Sequence, residues 1–291
     1  MSQQENLATA NEPPADALNI VQGIKLPAQP IILTALTQEL QKPEPSFVKI
    51  NDLLSKDAAI SAKLLKLANS PCFSNGKKID SIERALTRLG LLNFYTIVLN
   101  SCLKESLGND AHSEKLWEHT QVVASAAKSI AQISKAASPE YAYMAGLFHD
   151  AAIPLILEKD ENFLHIIEMD SAIGGNISQF ELEHTQIQVH HAVIGNILAR
   201  SWCLPEDVCE AILFHHTNDF EIFSNGDSRA LTIIIMLADV LARKACSVGH
   251  NEPTDDDPNT IAFICQELNL DSDDLTELFS QAIEYAQMAQ I

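Results

Sequence analysis

The sequence predicts an all-α fold, and three observations carry that expectation. Apolar residues recur at helical spacing, as in Ile60, Leu64, Leu65, Leu67 and Ala68. Period-two alternation is almost absent, and no Asn-Gly turn lies between alternating runs. Helix-capping chemistry also recurs along the chain: Asp57, Asp80 with Glu83, Gly90 and Ser138-Pro139-Glu140.

Taken in order, residues 1–18 form a loose tail, because Pro13-Pro14 and polar neighbours bury no face. After Pro27 and Pro30, the spacing places Ile31, Ala35 and Leu36 on one helical face. Asp57 is the expected N-cap of the helix bearing Ile60 and Leu64. Asn69-Ser70-Pro71 and Ser74-Asn75-Gly76 are turn chemistry. Asp80 and Glu83 resemble a capping box for a helix that Gly90 ends. Leu91–Cys102 is apolar nearly all round, as a buried helix is.

Gly108-Asn109-Asp110 is the expected boundary between a helical subdomain, 19–108, and a larger helical bundle, 109–291. The bundle opens with an Ala-rich helix over Leu116–Ile133, followed by a helix that starts at Ser138-Pro139 and reaches His149-Asp150. Further helices fit Gln179–Glu183, His191–Ala199, Glu206–Phe214, Leu231–Lys244, Ile261–Leu268 and Asp274–Met288.

Composition narrows the function. Asp and Glu number 39 against 19 Lys and Arg, a net charge of −20. That balance opposes direct binding to a nucleic-acid backbone or an anionic membrane. It suits protein or small-molecule partners. No run reaches the ~18 apolar residues of a membrane span, and the start carries no leader pattern, so a cytoplasmic location is expected. The six cysteines form no CxxC pair and are expected as reduced, mostly buried thiols. Asp255-Asp256-Asp257 is expected to be a solvated acidic loop, and Trp202 a core anchor.

Histidine spacing carries the chemistry. Of ten histidines, eight lie between His119 and His216. His119 sits on one helix, His149-Asp150 ends the next, and the pairs His190-His191 and His215-His216 flank later ones. Asp239 lies within the apolar stretch Ile233–Leu241, where a carboxylate is costly unless paired or ligated. Imidazole and carboxylate are what divalent transition metals accept, and bundles build metal sites from inward residues of several helices. For His149-Asp150, metal ligation competes with a hydrogen-bonded structural pair; for Asp239, with a buried, hydrogen-bonded carboxylate. One member of each tandem pair is expected to point away, since adjacent helical residues diverge by ~100°. His165 and His184 read as surface residues.

Gly146-Leu147-Phe148-His149-Asp150 resembles the His-Asp doublet of the HD superfamily of metal-dependent phosphohydrolases. Leu26-Pro27-Ala28-Gln29-Pro30, Ala68-Asn69-Ser70-Pro71, Leu116-Trp117-Glu118-His119, Trp202 with Leu204-Pro205, and Ala211-Ile212 with His215-His216 are similar to the HDOD domain, an HD-related output domain of bacterial signalling proteins. The resemblance spans roughly 20–245. It implies an HD/PDEase-like helical bundle behind an N-terminal helical subdomain, and a metal set of His119, His149, Asp150 and Asp239, with His191 and His215 toward a second ion. The metal would be Fe, Mn, Zn or Ni, in one or two ions.

The resemblance also implies a regulatory module that binds signalling proteins or a small nucleotide. Its alternative is a phosphohydrolase acting on a nucleotide or cyclic dinucleotide, with Asp150 as the catalytic carboxylate bridging the metals. Active cyclic-dinucleotide phosphodiesterases of the superfamily usually place Gly and Lys just after the doublet. Ala152 and Ile153 stand there instead, so the implied balance favours the binding module.

Overall fold

A computed structural model of the chain describes residues 24–40, 42, 44–69, 78–107, 111–159, 191–217, 219–223, 225–246 and 258–289. Outside them lie the tail 1–18, the turns at 70–76, the boundary at 108–110, the helix expected at 179–183, the acidic run 255–257, and His165, His184 and His190. Every regular element among the described residues is helical. The all-α expectation is therefore met.

The chain divides into two compact units. One comprises Pro27–Asp110 together with Ser201–Cys203; the other holds the rest.

The first unit contains α1 (Ile31–Leu40), α2 (Phe47–Leu54), α3 (Ala58–Ala68), α4 (Ile82–Leu89) and α5 (Leu91–Ser106). Asp57 caps α3 as expected, accepting from the amides of Ala59 and Ile60 at 3.0 Å. The cap of α4 falls one residue later than expected: Ser81, not Asp80, accepts from the Arg84 amide, while Asp80 takes the Arg84 guanidinium. Gly90 ends α4 with φ +77°, a conformation that costs glycine little, and its amide closes onto Leu86 O at 2.9 Å.

The expected face of α1 needs correction. Leu33 and Leu36 are fully buried, whereas Ile31 is 88% exposed and Ala35 is only partly covered. Ile31 is the first helical residue, so no preceding turn fixes it against the core. Leu54, Leu64, Leu86, Phe94 and Leu99 complete this core. Trp202 anchors it: its ring is fully buried, its Nε1 donates to Pro27 O at 3.0 Å, and its carbonyl accepts from Gln29 Nε2 at 2.7 Å.

The second unit contains α6 (Ala111–Ser134), α7 (Pro139–Phe148), α8 (Ile153–Lys159), α9 (His191–Ser201), α10 (Glu206–Phe214), α11 (Gly226–Cys246), α12 (Pro258–Leu268) and α13 (Ser272–Ala289). Helix α6 packs against α7, α11 and α13. Its Ala124, Ala126, Ala127 and Ala131 are buried, and such small residues let neighbours approach closely. Gly146 of α7 uses that space: a Cβ there would lie 2.9 Å from Ala124 Cα. Ser138 caps α7 through the Tyr141 amide, with Pro139 in the first turn as expected.

The cysteine expectation also needs correction. Among the described cysteines, Cys102 and Cys209 are buried, but Cys203 and Cys246 are exposed and Cys265 lies between; Cys72 is outside the described residues. Cys203 occupies a turn with φ +57°, and Cys246 ends α11. No described helix is long and apolar enough to cross a membrane.

Candidate metal centre

The second unit brings all six predicted ligands into one cluster. The turn after α7 supplies two. His149 is the C-cap of α7, so the doublet leaves the helix end. Its Nδ1 donates to Gly146 O at 2.8 Å, which fixes the ring and leaves Nε2 facing inward. That Nε2 is buried and makes no hydrogen bond, although Asp150 Oδ2 lies 3.0 Å away.

Asp150 sits among three histidines. Its Oδ1 lies 3.3 Å from His191 Nε2 and 3.8 Å from His215 Nε2. Burial alone would raise the Asp150 carboxyl; the surrounding rings of His149, His215 and His191 override it and hold the group well below the usual carboxylate range.

His191, in α9, is fully buried. Gly195, one turn on, faces the doublet turn: a Cβ there would make ordinary contact with His149 O and Phe148 O at 3.5 Å and press only on Ile212 Cγ2, at 3.2 Å. His215 is the C-cap of α10 and repeats the device of His149, with Nδ1 donating to Ile212 O at 2.7 Å.

The tandem-pair expectation fails at His215-His216. Both rings turn inward: His215 Nε2 and His216 Nε2 lie 3.2 and 3.0 Å from His191 Nε2. The ~100° divergence holds inside a helix. Helix α10 ends at Phe214, and the chain turns through both histidines. The signal that could have found His216 was therefore the helix end itself. Burial pushes the pKa values of His215 and His216 down, His216 strongly, aided by neighbouring imidazoles.

Across the cluster, His119 of α6 donates from Nε2 to Asp239 Oδ1 of α11 at 3.1 Å. Burial opposes the charged ring, but bonds to Asp239 and Cys246 and the charges of Asp239 and Asp150 overcome it, lifting His119 to about 10. Asp239 is held far below the carboxylate range: burial resists, and Arg243 and His119 prevail. Arg243, one helical turn beyond Asp239, brings Nε within 3.2 Å of Oδ2. The sequence reading missed it, although its i,i+4 spacing from Asp239 was visible.

Two triads of donor atoms result: His119, His149 and Asp239, and His191, His215 and His216, each with its ligand atoms within 4.8 Å of one another. Three imidazole Nε2 atoms converging at about hydrogen-bond distance cannot all be satisfied by one another's protons. The orphaned His149 Nε2 adds a further inward nitrogen. This all-nitrogen-and-oxygen set fits divalent transition metals.

The sequence model of the HDOD domain matches residues 26–218. A Treponema pallidum (strain Nichols) protein described only as uncharacterised is 28% identical over 194 residues, which span 66% of this chain and 37% of that protein. The chain thus matches little more than a third of that relative's length.

Among solved structures, an HDOD domain protein of unknown function from Geobacter sulfurreducens superposes with a TM-score of 0.72 at 24% identity, over 99% of this chain and 98% of that one. A Shewanella amazonensis SB2B protein, provisionally named a phosphohydrolase, gives 0.69 at 23% identity, over 94% and 98%. At these identities the likeness is one of fold.

Proposed function

Because this chain belongs to the HDOD domain family, we propose that it serves as a bacterial, cytoplasmic signalling module whose helical bundle holds divalent transition metal and works by binding rather than turnover. The observation that carries this reading is the pair of donor triads on either side of Asp150. His119, His149 and Asp239 would hold one ion, and His191, His215 and His216 a second, with Asp150 between them. A bound ion supplies Lewis-acid attraction for an oxygen-bearing ligand.

The chain's own residues do the rest. Backbone carbonyls at Gly146 and Ile212 fix the tautomers of His149 and His215. Asp239 accepts a hydrogen bond from His119 and holds its charged ring while the site is metal-free. Ala151, Ala152 and Ile153 after the doublet are buried and apolar, so they offer a ligand neither a charge nor a proton. This favours binding over hydrolysis. The partners in view are signalling proteins or a small nucleotide.

The position of Asp150 between both triads favours a second reading, a phosphohydrolase in which Asp150 is the catalytic carboxylate. One experiment separates the two. Protein purified without chelator is analysed for Fe, Mn, Zn and Ni beside His149→Ala and Asp150→Ala, then assayed on nucleotides and cyclic dinucleotides. One to two ions per chain, lost in both variants, with no turnover above their background, is the expected result. Turnover that both variants abolish moves the conclusion to the hydrolase. Absence of metal after reconstitution, with both variants folded, overturns both readings.

A further inference from the structure

The cluster has a depth order that exposure reveals. His149 is 1% exposed and Asp150 14%, His119 and Asp239 are each 21%, and the Arg243 side chain is 48% exposed. Arg243 therefore stands at the solvent side of the donor set while touching it through Asp239. Its charge is permanent, and beyond the Nε that meets Asp239 its guanidinium carries four further N–H groups in a planar fork of the geometry that matches phosphate oxygens.

A cation in the last turn of α11 also complements the helix dipole. Lys244, the next residue, meets that need equally well. The place of Arg243 over a site carboxylate follows from the i,i+4 spacing to Asp239 rather than from the dipole. The charge of −20 disfavours the approach of anions to the molecule, and a cation at the solvent side of the cluster offsets that locally.

We infer that Arg243 is the anion-contact residue of this site, receiving the oxygens of a phosphate-bearing ligand at the mouth of the donor cluster. This rests on the proposed metal-holding role for the identity of the site, but not for the contact itself. A tetrahedral oxyanion has enough oxygens to take bidentate hydrogen bonds from the arginine and still offer one to a bound cation.

The test uses the full chain, inorganic phosphate as probe, and Mn2+ as metal. Phosphate binding is measured by calorimetry on chelator-treated and Mn2+-loaded protein, for wild type, Arg243→Gln, Arg243→Lys and Arg229→Gln. Arg229 lies on the same helix and pairs with Glu267, so it controls for loss of one charge. Metal content is measured in parallel.

The expected result is a phosphate Kd weakened about tenfold or more in Arg243→Gln, as for loss of one strong charge-assisted contact. Partial recovery is expected in Arg243→Lys, no change in Arg229→Gln, and unaltered Mn2+ content throughout. Equal phosphate affinity in wild type and Arg243→Gln overturns the assignment, as does absence of phosphate binding in both forms of the wild type. Loss of Mn2+ from Arg243→Gln overturns it too, leaving Arg243 as a positioning residue for Asp239. Failure of the wild type to take up Mn2+ counts against the metal-holding role alone, because the chelator-treated protein still reports the Arg243 contact.

Discussion

The histidines of the cluster pull protonation in opposite directions. His119 is lifted to about 10, so its charged form is favoured by the fold. Its contribution to stability is fully present below the unfolded value of ~6.5 and is lost as pH rises toward 10. His215 and His216 are depressed, so their contribution is present above ~6.5 and is lost as pH falls below it. The metal-free protein is therefore expected to be most stable near neutrality, with each limb approaching ~1.4 kcal/mol per pH unit per proton at its steepest. Urea midpoints from pH 5 to 9 measure this, and His119→Gln is expected to flatten the alkaline limb only. A flat wild-type profile above pH 7 would count against the His119–Asp239 bond. The same proton shapes metal uptake, since an ion needs the neutral ring. Calorimetry at pH 7.5 in buffers of different ionisation enthalpy is expected to show about one proton released per chain from this triad, and occupancy is expected to fall as pH drops toward 5. Metal uptake without proton release would remove His119 from the ligand set.

Among the helices, the doublet depends on a backbone approach as much as on its own side chains. Gly146 lets α7 meet α6, and its carbonyl orients His149. Gly146→Ala places a methyl against backbone, which cannot yield as a side-chain tip does. The expected cost is about 1–3 kcal/mol, with weakened metal retention, read by thermal melts and elemental analysis. Gly90 offers the complementary case. A Cβ there meets nothing within 4 Å, yet φ is +77°, so Gly90→Ala is expected to cost about 1 kcal/mol through strain alone and to leave metal content unchanged. A neutral Gly90→Ala would show that the turn relaxes. Much of this layer was legible beforehand. Asp57, Ser138-Pro139 and Gly90 announced helix ends because capping is local chemistry. Ile31 and His216 were misjudged for the opposite reason: facing direction depends on where a helix stops and on what packs over it. The close contact beneath Gly146 was not legible at all, because it depends on Ala124 on a different helix.

At the scale of the whole chain, the two compact units are not two consecutive stretches. The unit built on 27–110 takes in Ser201–Cys203, and the Trp202 ring is its anchor through Pro27 and Gln29. Trp202→Ala is expected to destabilise this unit by about 3–5 kcal/mol, seen as an earlier urea transition; a shift below ~1 kcal/mol would mean that the ring is dispensable. The sequence placed an anchor at Trp202 from residue type, but its partners lie more than 170 positions away and no local pattern named them. The arrangement has a consequence for biosynthesis. Residues 27–110 leave the ribosome first, yet their core waits for a tryptophan made long afterwards. By then the His-Asp doublet and His191 have already been translated. A nascent chain stalled before residue 202 carries every helix of the first unit without its keystone, so that unit cannot mature strictly from N- to C-terminus. It is equally unsuited to being cut out as a contiguous piece and moved into another protein.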